Sequence, residues 1–547
     1  MQLHCNYCQT KSEVLSMARQ WNLAFAEGLH CEYGALQIRK PDFVTLVNQL
    51  YRSERSSSQS AAFDKLVRRL PQALSRTVRP RASTPVSLLC SLLLLGILAS
   101  GCTTYRQQNR IIDYWTRGDI AGAQREAAQK SASAGNGKDA VIWRLEHATI
   151  LRSASKYEES NREFDAADAQ MNRYAEAAKV RLGRETLALL SNQAQLPYEG
   201  RPYDRIMVST YEALNELALG RPDRARVNLI RAYQRQQEAV QLNQRRIERA
   251  KEEIAEARQR DGVAQAEADP QFKGRLDSIY APVRNLQPYA DYVNPFTVYL
   301  DGLFFMTQAA DGSDLERARK SFERAQAFAP DNPYIRADLE SIEDLFRGKP
   351  LPPTTYVIFE TGRAPVRDQI RIDVPILFTK VSYIGAAFPV LEFQGDYLPH
   401  LEVSAQGKTQ RTALVSSMDR IIAQDFNNEL PAVITKTIAA AIAKGAAAYA
   451  INTAAGRQDE ALGLLAQFLT AAFQAAVNIA DLRTWTTLPK EFHVCRVPTP
   501  PDRRIELIAP GTGQKVSVDL ADGTINLVYV KSITTASPLL VSQVKLK

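Results

Sequence analysis

The spacing Ala318-x3-Phe322-x2-Ala325-x4-Pro330, in "ARKSFERAQAFAP", constrains the fold of this chain more than any other feature. Residues three and four apart share a helix face. Small side chains there let an antiparallel helix approach closely, and the aromatic ring fills the gap between the two. The spacing returns at Ser160, Phe164 and Ala167 in "KYEESNREFDAADA", and at Ala225, Leu229 and Ala232 in "DRARVNLIRAY". Apolar runs precede each copy: "WRLEHATIL", "ALNELALG", and the segment holding Tyr299, Gly302 and Leu303. A degenerate fourth copy opens at "YWTRGDIAGAQREA". Helix pairs of this kind stack because no single pair can bury its apolar face.

The spacing resembles the second half of a tetratricopeptide repeat, and that resemblance implies a concave surface for peptide or protein partners. Between the third copy and the copy at Ala318 lies "QEAVQLNQRRIERAKEEIAEARQRDG". There Val240, Ile247, Ala250, Ile254 and Ala257 fall on one seam, with Asn243 among them. Alanine makes this seam thin. An exposed extended helix, with room to pack against another element, is expected in preference to a dimeric coiled coil.

The repeats stop at "RGKPLPPTTY", where Pro350, Pro352 and Pro353 cannot continue a helix. Beyond it "TYVIFE", "QIRIDVPILF", "AAFPVLEF" and "HLEVSA" read as strands. A helix is expected from about Ser416 to Ala455, broken or kinked at Pro431. The uncharged stretch Leu462 to Ala480 reads as a buried helix rather than a membrane span. The end of the chain reads as three strands, with turns at Gly511-Thr512-Gly513 and Asp522-Gly523. The expected fold class is α+β: a tetratricopeptide-like helical repeat domain, 102–349, followed by a smaller α+β domain, 350–547.

Charge is unevenly placed. Residues 1–102 hold twelve Lys and Arg against six Asp and Glu, and the remainder holds 56 against 54. A nearly neutral body does not suggest nucleic acid. Within the basic part, Arg76, Arg79 and Arg81 precede the apolar run Val86 to Leu98 and then Ala99-Ser100-Gly101-Cys102. Basic region, short apolar core and small residues are the parts of a secretory signal. The end of it resembles the lipobox of bacterial lipoproteins, which implies cleavage before Cys102 and acylation of that cysteine. Thr103 in place of aspartate implies, by the same resemblance, the outer membrane. Such a leader spans 78–101, and residues 1–77 are read as a disordered upstream extension outside the mature protein. Cys5, Cys8, His30 and Cys31 have a zinc-like composition but irregular spacing, so no metal site is assigned. The last cysteine, Cys495, reads as a small strand residue.

With the lipobox and the repeats, "YVIFETGRAP" and "DLRTWTTLP" resemble a family of uncharacterised bacterial lipoproteins with tetratricopeptide repeats. The matching positions are Glu360, Gly362, Pro365, Asp481, Arg483, Trp485 and Pro489. The family supplies no catalytic residues. Glu360, Asp481, Arg483 and Trp485 are candidate contacts for a ligand or partner. In a strand, Asp481 and Arg483 would pair on one face with Trp485 covering them. His147, His400 and His493 are the histidines after Cys102, and no two lie at metal-ligand spacing. No catalytic site, cofactor or metal is expected. The expected function is an envelope scaffold: anchored to the membrane by lipid, facing the periplasm, and binding envelope proteins through its repeat surface. An envelope enzyme or a solute-binding module, with its site in the C-terminal domain, is the alternative.

Overall fold

The structure, a computed structural model, describes residues 103–180, 197–260, 262–289, 293–375, 383–455 and 481–547. The expected leader 78–101, Cys102, the Cys5, Cys8, His30 and Cys31 group and the apolar stretch 462–480 lie outside the described residues. The fold is α+β.

Four helix pairs form where the repeated spacing places them. They are α1 (Thr103–Thr116) with α2 (Ile120–Ala134), α3 (Ala140–Ser153) with α4 (Tyr157–Val180), and α5 (Pro202–Ala218) with α6 (Pro222–Arg258). Two intervening helices, α7 (Val263–Ala268) and α8 (Pro270–Arg284), precede the last pair, α9 (Pro295–Thr307) with α10 (Gly312–Phe328). A single helix, α11 (Pro333–Phe346), follows. Asp119, Asn294, Asp311 and Asn332 cap helix starts by accepting backbone N–H bonds from the first turn. At Gly302 a Cβ would lie 2.9 Å from the Phe322 ring, so the α9–α10 approach requires glycine there.

The strands build three sheets. The five-stranded sheet has the order β11 (Leu540–Lys545), β10 (Ile525–Ser532), β1 (Thr354–Thr361), β7 (Glu491–Pro498) and β6 (Ala413–Ser417). β1 runs parallel to β10 and antiparallel to β7. The four-stranded sheet is β5 (Lys408–Arg411), β4 (Glu402–Ala405), β8 (Arg504–Ile508) and β9 (Lys515–Asp519). Successive strand side chains face opposite ways, and this divides the five-stranded sheet. Tyr356, Ile358, Phe492, Val494, Leu527 and Tyr529 join the helical core, while Val357, Phe359, Cys495, Val497, Val528 and Val530 pack on the four-stranded sheet. The result is three layers: helices, sheet, sheet. The proline cluster at 350–353 therefore marks a change of secondary structure, and one core runs across it from Ile111 to Leu546.

The third sheet is a ribbon of β2 (Val366–Pro375) and β3 (Tyr383–Glu392). It packs beside α12 (Met418–Ala455) and α8, with Phe272 against Phe388. Pro431 does not end α12. The thin seam of α6 meets α12 of the same chain, where Arg246 pairs with Asp425 and Glu429, and Glu253 pairs with Lys436. The expected turn at Asp522-Gly523 is a crossing between sheets instead of a hairpin. The Arg503 guanidinium holds it by donating to the carbonyls of Leu520, Ala521 and Gly523. Among the described residues no helix is long and apolar enough to cross a membrane.

Candidate functional site

Glu360 sits on the helix-facing side of β1, beside Lys531 on the parallel neighbour β10. It is 1% exposed. Lys531 Nζ and the hydroxyls of Tyr211 and Tyr529 donate to its carboxylate. The Trp115 ring lies 4.7 Å from the Lys531 ammonium, and the Arg152 guanidinium lies over Tyr529 at 4.6 Å and Tyr211 at 5.2 Å. Arg152 also donates to Asn215 Oδ1 at 2.6 Å. Burial lowers the Lys531 pKa, and the Glu360 charge opposes that shift. A cavity of about 30 Å³ adjoins the cluster, lined by Arg152, Tyr157, Glu360, Lys531 and Ser542 among others. That is room for about one water molecule.

Asp481, Arg483 and Trp485 belong to an irregular segment ahead of β7, not to a strand. The expected pairing of Asp481 with Arg483 still forms, at 2.7 and 2.8 Å. The expected cover does not. Tyr198 lies over the guanidinium at 5.6 Å, while Trp485 turns inward against Phe164 and Tyr211. The reason is the neighbour. The segment takes its partners from helix α3 and the residue ahead of it, where Asp139, Glu146 and Thr149 face it. Arg483 reaches Asp139 at 3.0 Å, and the Trp485 indole donates to Thr149 at 2.9 Å. Thr486 and Thr487 donate three hydrogen bonds to Glu146. Burial raises the Glu146 carboxyl to about 7, against the lowering effect of those bonds.

The two sequence motifs thus meet around Tyr211, which bonds Glu360 and packs on Trp485. Gly362 adds a close approach: at φ +68 a Cβ there would lie 2.7 Å from Tyr397 and 2.9 Å from Lys490. Several charged or hydroxyl-bearing members of this joint escaped sequence reading. Glu146 was signalled by a carboxylate inside the apolar run "VIWRLEHATIL", and Tyr529 and Lys531 by polar groups at alternate positions of a strand. Arg152, at the end of the same helical run, carried no signal of its own.

The joint covers one helix of each pair. All thirteen residues of α9 are buried, whereas α10 buries only Asp314, Ala318, Phe322 and Ala325. The sheet's partners on the inner helices are Trp115 on α1, Arg152 on α3, Tyr211 on α5 and Phe296 on α9, the last stacked on Phe492 at 3.9 Å. The outer helices keep open grooves. One of about 440 Å³ lies between α4 and α6 and is lined mainly by charges, Asp165, Asp168, Arg231 and Arg235 among them. Another, of about 360 Å³, lies between α6 and α10, lined by the buried Leu229 and Val298, by Tyr233, and by Arg317 and Lys320 with their partners Asp301 and Glu316.

Cys495 is a buried residue of β7, and burial pushes its thiol up to about 11, away from nucleophilic use. Among the described residues no group of three His, Cys, Asp or Glu side chains could hold a metal ion.

No family model matches the chain, and no curated protein matches it. A solved tetratricopeptide repeat protein from Parabacteroides merdae ATCC 43184 is similar at 13% identity, covering 44% of this chain and 98% of that one. Its TM-score is 0.12, too low to carry any argument about this fold.

Proposed function

We propose that this chain is a non-enzymatic envelope lipoprotein, anchored through Cys102 to the outer membrane and facing the periplasm. It holds another envelope protein on its tetratricopeptide-like repeats. One observation carries the reading: four stacked helix pairs leave their outer helices open, with the groove between α6 and α10 combining apolar side chains, an exposed tyrosine and charges of both signs. Such a mixture suits a protein partner. The inner helices are already taken by the chain's own sheet, so the partner surface is the outer one. A solute-binding role for Glu360 is disfavoured by the one-water cavity beside it.

The test is a photo-cross-linking residue at Tyr233, with a control at Lys408 on the exposed edge of the four-stranded sheet. The expected result is one discrete adduct from Tyr233 and none from Lys408. The Cys102→Ala variant should leave the membrane fraction. Loss of anchoring without change in the adduct separates the two halves of the proposal. No adduct from Tyr233 in a membrane-attached chain rejects the scaffold reading.

A further inference from the structure

The second half of α6 has no counterpart in the repeat pattern. α5 has 17 residues and α6 has 37. Arg235 donates to the Arg205 carbonyl and to Ser209, each at 2.7 Å, so the first turn of α5 lies level with Arg235. The rest of α6 runs past α5 by roughly 30 Å at 1.5 Å per residue. It does not run alone. α12 lies parallel to it, since Arg246 meets Asp425 and the later Glu253 meets the later Lys436. Arg367 on the ribbon bonds Glu429 on α12. The three elements make a stapled arm.

The direction of the arm follows from the alternation of helices. Arg110 on α1 faces Glu126 on α2, so α1 starts where α2 ends. Tyr174 near the end of α4 donates to the Gly137 carbonyl ahead of α3, and the Tyr198 N–H ahead of α5 donates to Lys138. The starts of α1, α3 and α5 therefore lie at one end of the stack. α6 returns toward that end and passes it. Helix α1 begins at Thr103, the residue after Cys102, so no tether separates that end from the anchoring cysteine.

We propose that this arm lies on the anionic lipid surface of the membrane that holds the chain. The inference rests on the reading of Cys102 as the lipid anchor. An arm that overshoots the anchored end by roughly the thickness of a hydrocarbon core meets the bilayer unless it lies along it. Its surface suits that position. Gln241 to Arg260 holds six Lys and Arg against four Glu, with Arg245, Arg249 and Lys251 exposed beside the exposed Glu248, Glu252 and Glu256, a net positive stretch. Tyr383 on the ribbon is 59% exposed and Leu242 on α6 is 50% exposed. Exposed cations attract anionic headgroups, and a tyrosine ring belongs at the level of the headgroups.

The test uses the lipidated chain in vesicles of phosphatidylglycerol and phosphatidylethanolamine, with nitroxide-labelled headgroups as quencher. Single fluorophores are placed at Gln241→Cys and Arg371→Cys on the arm, and at Lys156→Cys on the opposite end of the stack. Cys495 is buried and does not compete for label. Quenching several-fold stronger on the arm than at Lys156 is expected, weakened by Arg245→Glu with Arg249→Glu. Equal, weak quenching at all three sites in a chain that floats with the vesicles overturns the arm proposal and leaves the anchor standing. Strong arm quenching that ignores both charge reversal and removal of phosphatidylglycerol overturns the anionic-lipid assignment. A chain with unmodified Cys102 that does not float defeats the anchor reading, and the arm proposal falls with it.

Discussion

Glu360 and Lys531 are both buried, and their pairing is the main compensation for either charge. Removing one member of a buried pair leaves a charge without compensation, which costs about 3–5 kcal/mol, whereas replacing both by apolar groups is often neutral. Lys531→Met alone should lower unfolding stability by about that much. Adding Glu360→Leu should recover most of the loss in the same urea titration. A single variant as stable as the parent would show that the cluster is wetter than its burial implies. Glu146 offers a second residue-level test, through pH. Its folded pKa, about 7, lies above the ordinary carboxyl value of 4.5. The folded state therefore binds the proton more tightly. Its contribution is fully present below pH 4.5 and is lost as pH rises through 7. The melting temperature of the parent should fall relative to Glu146→Gln across that window. Parallel profiles would exclude Glu146 as the source. Glu429 has the opposite sign, because Arg201, Arg367 and Arg246 outweigh its burial and hold it down at about 2.

Between elements, the α9–α10 contact depends on having no side chain at Gly302. Gly302→Ala should push Phe322 away at a cost of about 1–3 kcal/mol, and Phe322→Leu should relieve it. Equal melting temperatures for Gly302→Ala and the parent would contradict the close approach. This contact was legible in the sequence, as were all four helix pairs, because the two helices of a pair follow each other directly in the chain, with Gly302 and Phe322 only twenty positions apart. Strands β1 to β4 and β8 to β10 were also legible from local alternation. What each strand packs against was not. Glu360 and Lys531 are 171 positions apart, and nothing local announces that β1 and β10 are parallel neighbours. The misreading of Asp481 to Trp485 has the same origin. The residue types predicted the ion pair correctly, but the segment's partner is a helix more than three hundred residues earlier, and that partner decides where the tryptophan turns.

At the scale of the whole molecule, repeats and sheet depend on each other. Stacked helix pairs in isolation present their inner helices to solvent. Here those helices carry Trp115, Tyr211, Phe296 and Tyr299, all nearly inaccessible. Burying an aromatic side chain contributes on the order of 1.5–3 kcal/mol, so a helical half without its sheet exposes a large apolar surface together with Glu146 and Arg152. Residues 103–349 produced alone should therefore bind a hydrophobic dye and aggregate, and co-expression with 350–547 should restore a soluble complex that unfolds in a single transition. Two halves that are each monomeric and melt independently would mean that the shared core contributes little. The outcome also bears on how partners are held. If the sheet is needed for the helices to keep their shape, a change at Glu360 or Trp485 should weaken binding at the outer groove through lost stability, and a stabilising second substitution elsewhere should restore it. Restoration of stability without restoration of binding would place Glu360 or Trp485 in the partner contact itself.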